Sequence, residues 1–281
     1  MGPILVGVDG SSESRDALAW ATRLAEALAA EIVVVRAWRP ESSEVRPETA
    51  KRLEAARRSE LEGFCGSRLD HLRHELIVVD GDPRDVLVEQ AHAREAAAVV
   101  VASVGASGHR PGLLRVGSVV EYLAHHVDRP LVVIPPGSTT APGAIVVAVD
   151  GSDHARAAVE WVRRLADGGL AVESITALVV DQPELGLSGA SDRPWTAQAE
   201  DLVRTRLAAP LAELGVPFVP VARGEAPVPE TILDVAESAG ADLVVIGTRG
   251  TGGVTGLRIG GVALAVLHRA DRPLVLVPPQ G

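Results

Sequence analysis

Short, nearly unbroken apolar runs alternate with longer stretches of helical periodicity along this chain. The runs include PILVGV (3–8), EIVVVRA (31–37), ELIVV (75–79), AVVVAS (98–103) and LVVI (131–134). Between them, Ala17, Ala21, Leu24 and Leu28 fall on one face of a 3.6-residue period and predict a helix over 12–30. Further helices are expected at about 47–68, 83–95 and 117–127. Strands that read as continuous apolar runs belong to a parallel sheet covered by helices on both faces. The alternation therefore predicts an α/β, doubly wound, Rossmann-like domain with right-handed crossovers. In such a sheet ligands sit outside the C-terminal ends of the strands, where the strand order reverses.

The pattern then repeats. ILVGVDGSSES at 4–14 returns as IVVAVDGSDHA at 145–155, HHVDRPLVVIPP at 125–136 as HRADRPLVLVPP at 268–279, and Trp20 as Trp161. A period this long marks a duplicated domain, because solenoid repeats run about 20–50 residues. The stretch PPGSTTAPG at 135–143 reads as the seam. Two domains are expected, 1–137 and 143–281, joined by a linker at 138–142. The closing strands RPLVVIP and RPLVLVP would each leave an edge open if unpaired, and open edges invite pairing.

Composition narrows the function classes. A formal charge of −10 argues against a nucleic-acid partner. Lys51 is the only lysine, and Cys65 the only cysteine, so no intramolecular disulfide can form. No apolar stretch reaches the ~18 residues of a membrane span, and the N-terminus has no basic leader, so a cytoplasmic protein is expected. The chain has no G-x4-G-K-[ST], no G-x-G-x-x-G after its first strand, no H-E-x-x-H and no G-x-S-x-G. P-loop, dinucleotide, zincin and hydrolase-elbow chemistry are thereby disfavoured. His71 with His74, and His125 with His126, lack a convergent carboxylate or thiol set for a metal.

Two loops at the strand ends carry the candidate chemistry. IGTRGTGGVTGLRIGG at 246–261 holds seven glycines and follows the apolar run ADLVVIG. It is either slack connection or a backbone cradle whose N–H groups, with the next helix N-terminus, suit a phosphate. Strand one ends in VDGS in both halves, so Asp9 and Asp150 occupy matching edges, followed by Ser11 and Ser152. Each Asp can cap the following helix, accept from ribose hydroxyls or hold a divalent metal on a phosphate. The serines are helix caps or ligands. Arg249 and Arg258 are phosphate contacts or solvated side chains.

Duplicated V-x-V-D-G-S strands, DRPLVVIPP-type closing strands and this glycine loop together resemble the universal stress protein family, over nearly the whole chain. Its nucleotide-binding members carry G-x2-G-x9-G-[ST] in the loop. Gly247, Gly250 and Gly260 match that spacing, with Gly261 where Ser or Thr is expected. In the first half, Ala102 and Gly105 take the first two positions with eleven residues before Gly117 and Ser118. Reading Gly105 and Gly108 instead leaves eight. The resemblance implies that Val180 and Ala37, ending strand two, pack on adenine, and that Gly224 and Gly81 follow strand three. It implies an ATP-binding or other adenine-nucleotide-binding regulatory module, with Mg entering on the nucleotide near Asp150 and little or no turnover. The second half is expected to bind better. The alternative is a protein–protein stress module that has lost its nucleotide. The family also uses its last strand for dimer contacts, which implies an internal pseudo-dimer and leaves a homodimer of chains open.

Overall fold

The computed structural model describes residues 2–38, 47–105, 116–180, 195–223, 227–250 and 258–279. The chain folds as two compact units, Met1–Thr140 and Ala141–Gly281. Unit 1 runs β1 (Ile4–Gly7), α1 (Ser12–Ala27), β2 (Ile32–Trp38), α2 (Pro47–Cys65) with a 3₁₀ turn at Gly66–Leu69, then β3 (His74–Asp80) and α3 (Pro83–Ala93). It closes with β4 (Ala98–Ala102), α4 (Ser118–His126) and β5 (Leu131–Ile134). Its strands are parallel in the order β3-β2-β1-β4-β5.

Unit 2 runs β6 (Ala144–Ala148), α5 (Asp153–Asp167), β7 (Ser174–Val180) and α6 (Trp195–Leu202), which continues as a π-helical segment, Val203–Leu207. There follow α7 (Ala209–Ala212), β8 (Phe218–Arg223), α8 (Val228–Ser238), β9 (Leu243–Gly247), α9 (Gly261–Arg269) and β10 (Leu274–Val277). The order is β8-β7-β6-β9-β10, again all parallel. In each unit the winding reverses between the first and fourth strands, which opens a crevice at their C-terminal ends.

Cores form where the apolar runs predict them. Leu5, Val6, Val33, Val34, Val99 and Val100 are at most 1% exposed, and the predicted α1 face of Ala17, Ala21, Leu24 and Leu28 is buried against them. Trp20 and Trp161 are buried at matching places in the two units. Each large apolar side chain so buried contributes about 1.5–3 kcal/mol.

α1 and α3 stop earlier than expected for the same reason. α1 ends at Ala27 because Ala29 turns left-handed (φ +47°) and the Ala30 N–H closes back on the Ala25 carbonyl at 2.9 Å. α3 ends the same way, with Glu95 at φ +48° and Ala96 donating to Ala91 at 3.0 Å. Unit 2 makes the corresponding turns with Gly169 and Gly240. Glycine takes this conformation without the Cβ penalty that Ala29 and Glu95 bear.

Candidate functional site

The V-D-G-S segment turns the chain from the first strand into the first helix. Asp150 Oδ1 accepts from the Ser152 N–H at 2.9 Å, Gly151 supplies φ +83°, and Ser152 Oγ caps α5 by accepting from Ala155 N–H at 3.1 Å. In unit 1, Asp9 accepts from Ser11 N–H at 3.0 Å, and Ser11 caps α1 through Ser14 N–H at 3.0 Å. The serines are thus the helix caps. Each aspartate shapes the turn with Oδ1, while Oδ2 lies against the loop backbone at Gly105 in unit 1 and Gly250 in unit 2.

The glycines of unit 2 do different work from one another. A Cβ on Gly250 would collide with Asp150 Oδ2, so the loop backbone lies directly on that carboxylate. A Cβ on Gly247 would stand 2.7 Å from the His154 carbonyl carbon and 2.7 Å from its Cβ. Gly247 is therefore required for β9 to approach the first turn of α5. Gly260 is the N-cap of α9, donating its N–H to the Thr248 carbonyl at 2.7 Å, and among the described residues no side chain caps the helix. At Gly261 an added Cβ meets no described residue within 4 Å, so among the described residues the N-terminus of α9 stands open. First-turn N–H groups left without an intrahelical partner, together with the helix dipole, favour an anion there.

These residues surround one cleft of about 280 Å³. Asp150, Gly247, Gly250, Gly260 and Gly261 line one side, and Val180, Leu178, Val228 and Ile232 give apolar walls. Val180 is nearly fully buried at the end of β7. Ser152 reaches the loop from behind, its Oγ donating to the Arg249 carbonyl at 3.3 Å. Gly224 and Gly108 lie outside the described residues.

Unit 1 keeps part of this arrangement. Gly105 lies against Asp9 Oδ2 as Gly250 lies against Asp150, and Gly117 donates to the Ser103 carbonyl at 2.7 Å as Gly260 does to Thr248. Of the two sequence alignments, this places Ala102 and Gly105 at the first two positions. Ser118 begins α4. Ala37 pairs with Val79 on β3, and Gly81 turns at φ +153°, where a Cβ would press on Val86. Leu87 of α3 packs onto Gly7, within 3.0 Å of where a Cβ would sit.

Sequence reasoning missed His154. It is buried, with Nδ1 2.9 Å from Thr248 Oγ1 and Nε2 accepting from Arg249 Nε at 3.3 Å. A lone histidine in DGSDHA gives no periodic or motif signal, and its partners lie more than ninety residues on. Burial first, then the adjacent Arg249 guanidinium, pushes its pKa below the ordinary value, while Asp150 opposes them. A folded-state pKa below the unfolded one of ~6.5 adds stability above that pH and loses it as pH falls through it. Unfolding midpoints should therefore be lower at about pH 5.5 than at about pH 7.5, and His154→Gln should flatten the dependence. An unchanged slope in the variant would show that other groups set it. Cys65, by contrast, has its thiol pushed up to about 11 by burial and stays protonated at neutral pH.

The model of the universal stress protein family matches residues 1–135 and again 143–278. This chain belongs to the universal stress protein family. Relatives share its two-unit length. Universal stress protein Rv2005c of Mycobacterium tuberculosis is 30% identical over 97% of this chain and 96% of its own. A universal stress protein of Mycolicibacterium smegmatis is 28% identical over 99% and 97%. Among solved structures, a universal stress protein from Archaeoglobus fulgidus superposes with a TM-score of 0.70 at 18% identity, covering 99% of this chain and 98% of that one. That likeness carries the fold of this universal stress protein. Among the described residues no helix is long and apolar enough to cross a membrane.

Proposed function

We propose that this universal stress protein binds an adenine nucleotide, ATP or a related adenylate, in the unit 2 cleft and acts as a regulatory module of the stress response. The observation that carries the proposal is the meeting of an apolar slot, a carboxylate and an open glycine-lined helix N-terminus in one cleft. The residues fit such a ligand by chemistry. Val180, Leu178 and Ile232 offer apolar surface to a base, and Asp150 an acceptor to ribose hydroxyls. Gly250 and the first turn of α9 offer unhindered backbone to phosphates. Mg²⁺ would arrive on those phosphates near Asp150. Unit 2 contains no lysine, the side chain with which many phosphoryl-transfer sites clamp β- and γ-phosphates, and this supports holding the nucleotide with little or no turnover.

The alternative is a protein–protein stress module that has lost its nucleotide, which the off-length loop of unit 1 and Gly261 in place of Ser or Thr favour. The domain limits 1–137 and 143–281, the pseudo-dimer through the closing strands and a homodimer of chains are proposed from the sequence alone. Calorimetric titration of the intact protein with ATP and Mg²⁺ tests the nucleotide reading. Saturable heat is expected. No heat at millimolar ligand, with no nucleotide in a denatured extract, would contradict it.

A further inference from the structure

The imidazole of His154 fixes more than its own burial. An arginine Nε always carries hydrogen, so the 3.3 Å contact requires a lone pair on His154 Nε2. The ring proton then sits on Nδ1 and is donated to Thr248 Oγ1 at 2.9 Å. Arg249 is held from both ends, its Nε by this ring and its carbonyl by Ser152 Oγ at 3.3 Å. It lines the cleft and is only partly exposed, and among the described residues it forms no ion pair with a carboxylate. The charged groups facing His154 are Arg249, from the loop after β9, and Asp150, from the loop after β6.

Unit 1 provides an internal contrast. Counted from the N-cap serine, Glu13 stands where His154 stands. Counted from the Gly105 and Gly117 contacts, Ser103 and Val104 stand where Thr248 and Arg249 stand. The hydroxyl is kept there, and the imidazole and guanidinium are gone together. A ring that only filled core space would not need to accept from an arginine at a cleft wall.

We infer that His154 is a positioning residue that aims the Arg249 guanidinium at the phosphate end of the unit 2 cleft, so that unit 2 selects phosphorylated nucleosides over bare ones. This rests on the nucleotide reading of the cleft. Guanidinium–phosphate bonds are charge-assisted and geometrically demanding, so an arginine held in one orientation discriminates better than a free one.

The test is titration of the intact chain with adenosine and with ATP. Wild type should bind ATP about tenfold or more tighter than adenosine. Arg249→Ala and His154→Leu should both bring that ratio towards one. His154→Gln, whose side-chain oxygen can replace Nε2 as acceptor, should restore most of it. If His154→Leu keeps the full ratio while Arg249→Ala loses it, the positioning role is overturned and the nucleotide reading stands. If wild type binds neither ligand, the nucleotide reading itself falls. Independent of any variant's folding, imidazole ¹⁵N shifts of wild type at neutral pH should show Nδ1 protonated and Nε2 bare. An Nε2–H tautomer would overturn the inference.

Discussion

Gly247→Val is expected to destabilise unit 2 by about 3 kcal/mol, the upper end of what overpacking costs. The reason is the identity of the atoms it would meet. A Cβ at Gly247 lands 2.7 Å from the carbonyl carbon of His154 and 2.9 Å from its oxygen, which are backbone atoms of the first turn of α5. A flexible side chain could swing away; a helix backbone tied by the Ser152 cap can move only by taking its helix along. Valine adds two methyl groups to the same collision. Hydrogen exchange read by peptide should show β9 and α5 losing protection while β1 to β5 keep theirs. Unchanged protection in β9 and α5 would mean that the strand and helix do not approach as described. The expected loss makes Gly247 a packing residue first, although its position in the loop motif assigns it to phosphate.

Gly250→Val should behave in the opposite way, leaving the fold and removing the ligand. Its Cβ would strike Asp150 Oδ2, the end of a side chain rather than a backbone, and Gly250 itself is exposed. The carboxylate can give way by turning, at the cost of its 2.9 Å bond from the Ser152 N–H, on the order of 1 kcal/mol. It then no longer presents an oxygen to the cleft, and a branched side chain covers the approach to the α9 N-terminus. Losing one charge-assisted hydrogen bond together with backbone access should raise the ATP dissociation constant about 100-fold, or ~2.7 kcal/mol. Calorimetry gives the constant, and circular dichroism should show retained secondary structure. A fold that collapses, or an affinity that holds, would each contradict this division of labour between Gly247 and Gly250.

Much of this architecture can be read without coordinates because local and tertiary signals agree. Continuous valine runs, a 3.6-residue face on α1 and a repeated V-D-G-S turn all point to the same doubly wound unit. Where the reading fails, a residue behaves against its type. Ala29 and Glu95 carry no glycine signal, yet both take left-handed conformations and shorten their helices. The glycine loop announces a cradle, but only coordinates separate Gly250, set against a carboxylate, from Gly247, set against a helix. Arg249 stands in the glycine loop as a candidate phosphate contact, but its partner His154 is found only when β9 is laid beside α5. In unit 1, the packing of Leu87 on Gly7 comes from the α3 docking geometry.

The central claim is that unit 2 holds the nucleotide through Asp150 and its glycine loop. Parallel calorimetric titrations of the intact chain with ATP and Mg²⁺, in wild type, Gly105→Val and Gly250→Val, test it most directly. Both substitutions press a side chain on the strand-one carboxylate, Asp9 in one unit and Asp150 in the other. One site per chain is expected in wild type, kept in Gly105→Val and weakened about 100-fold in Gly250→Val. Binding that survives at full strength in Gly250→Val and disappears in Gly105→Val would contradict it.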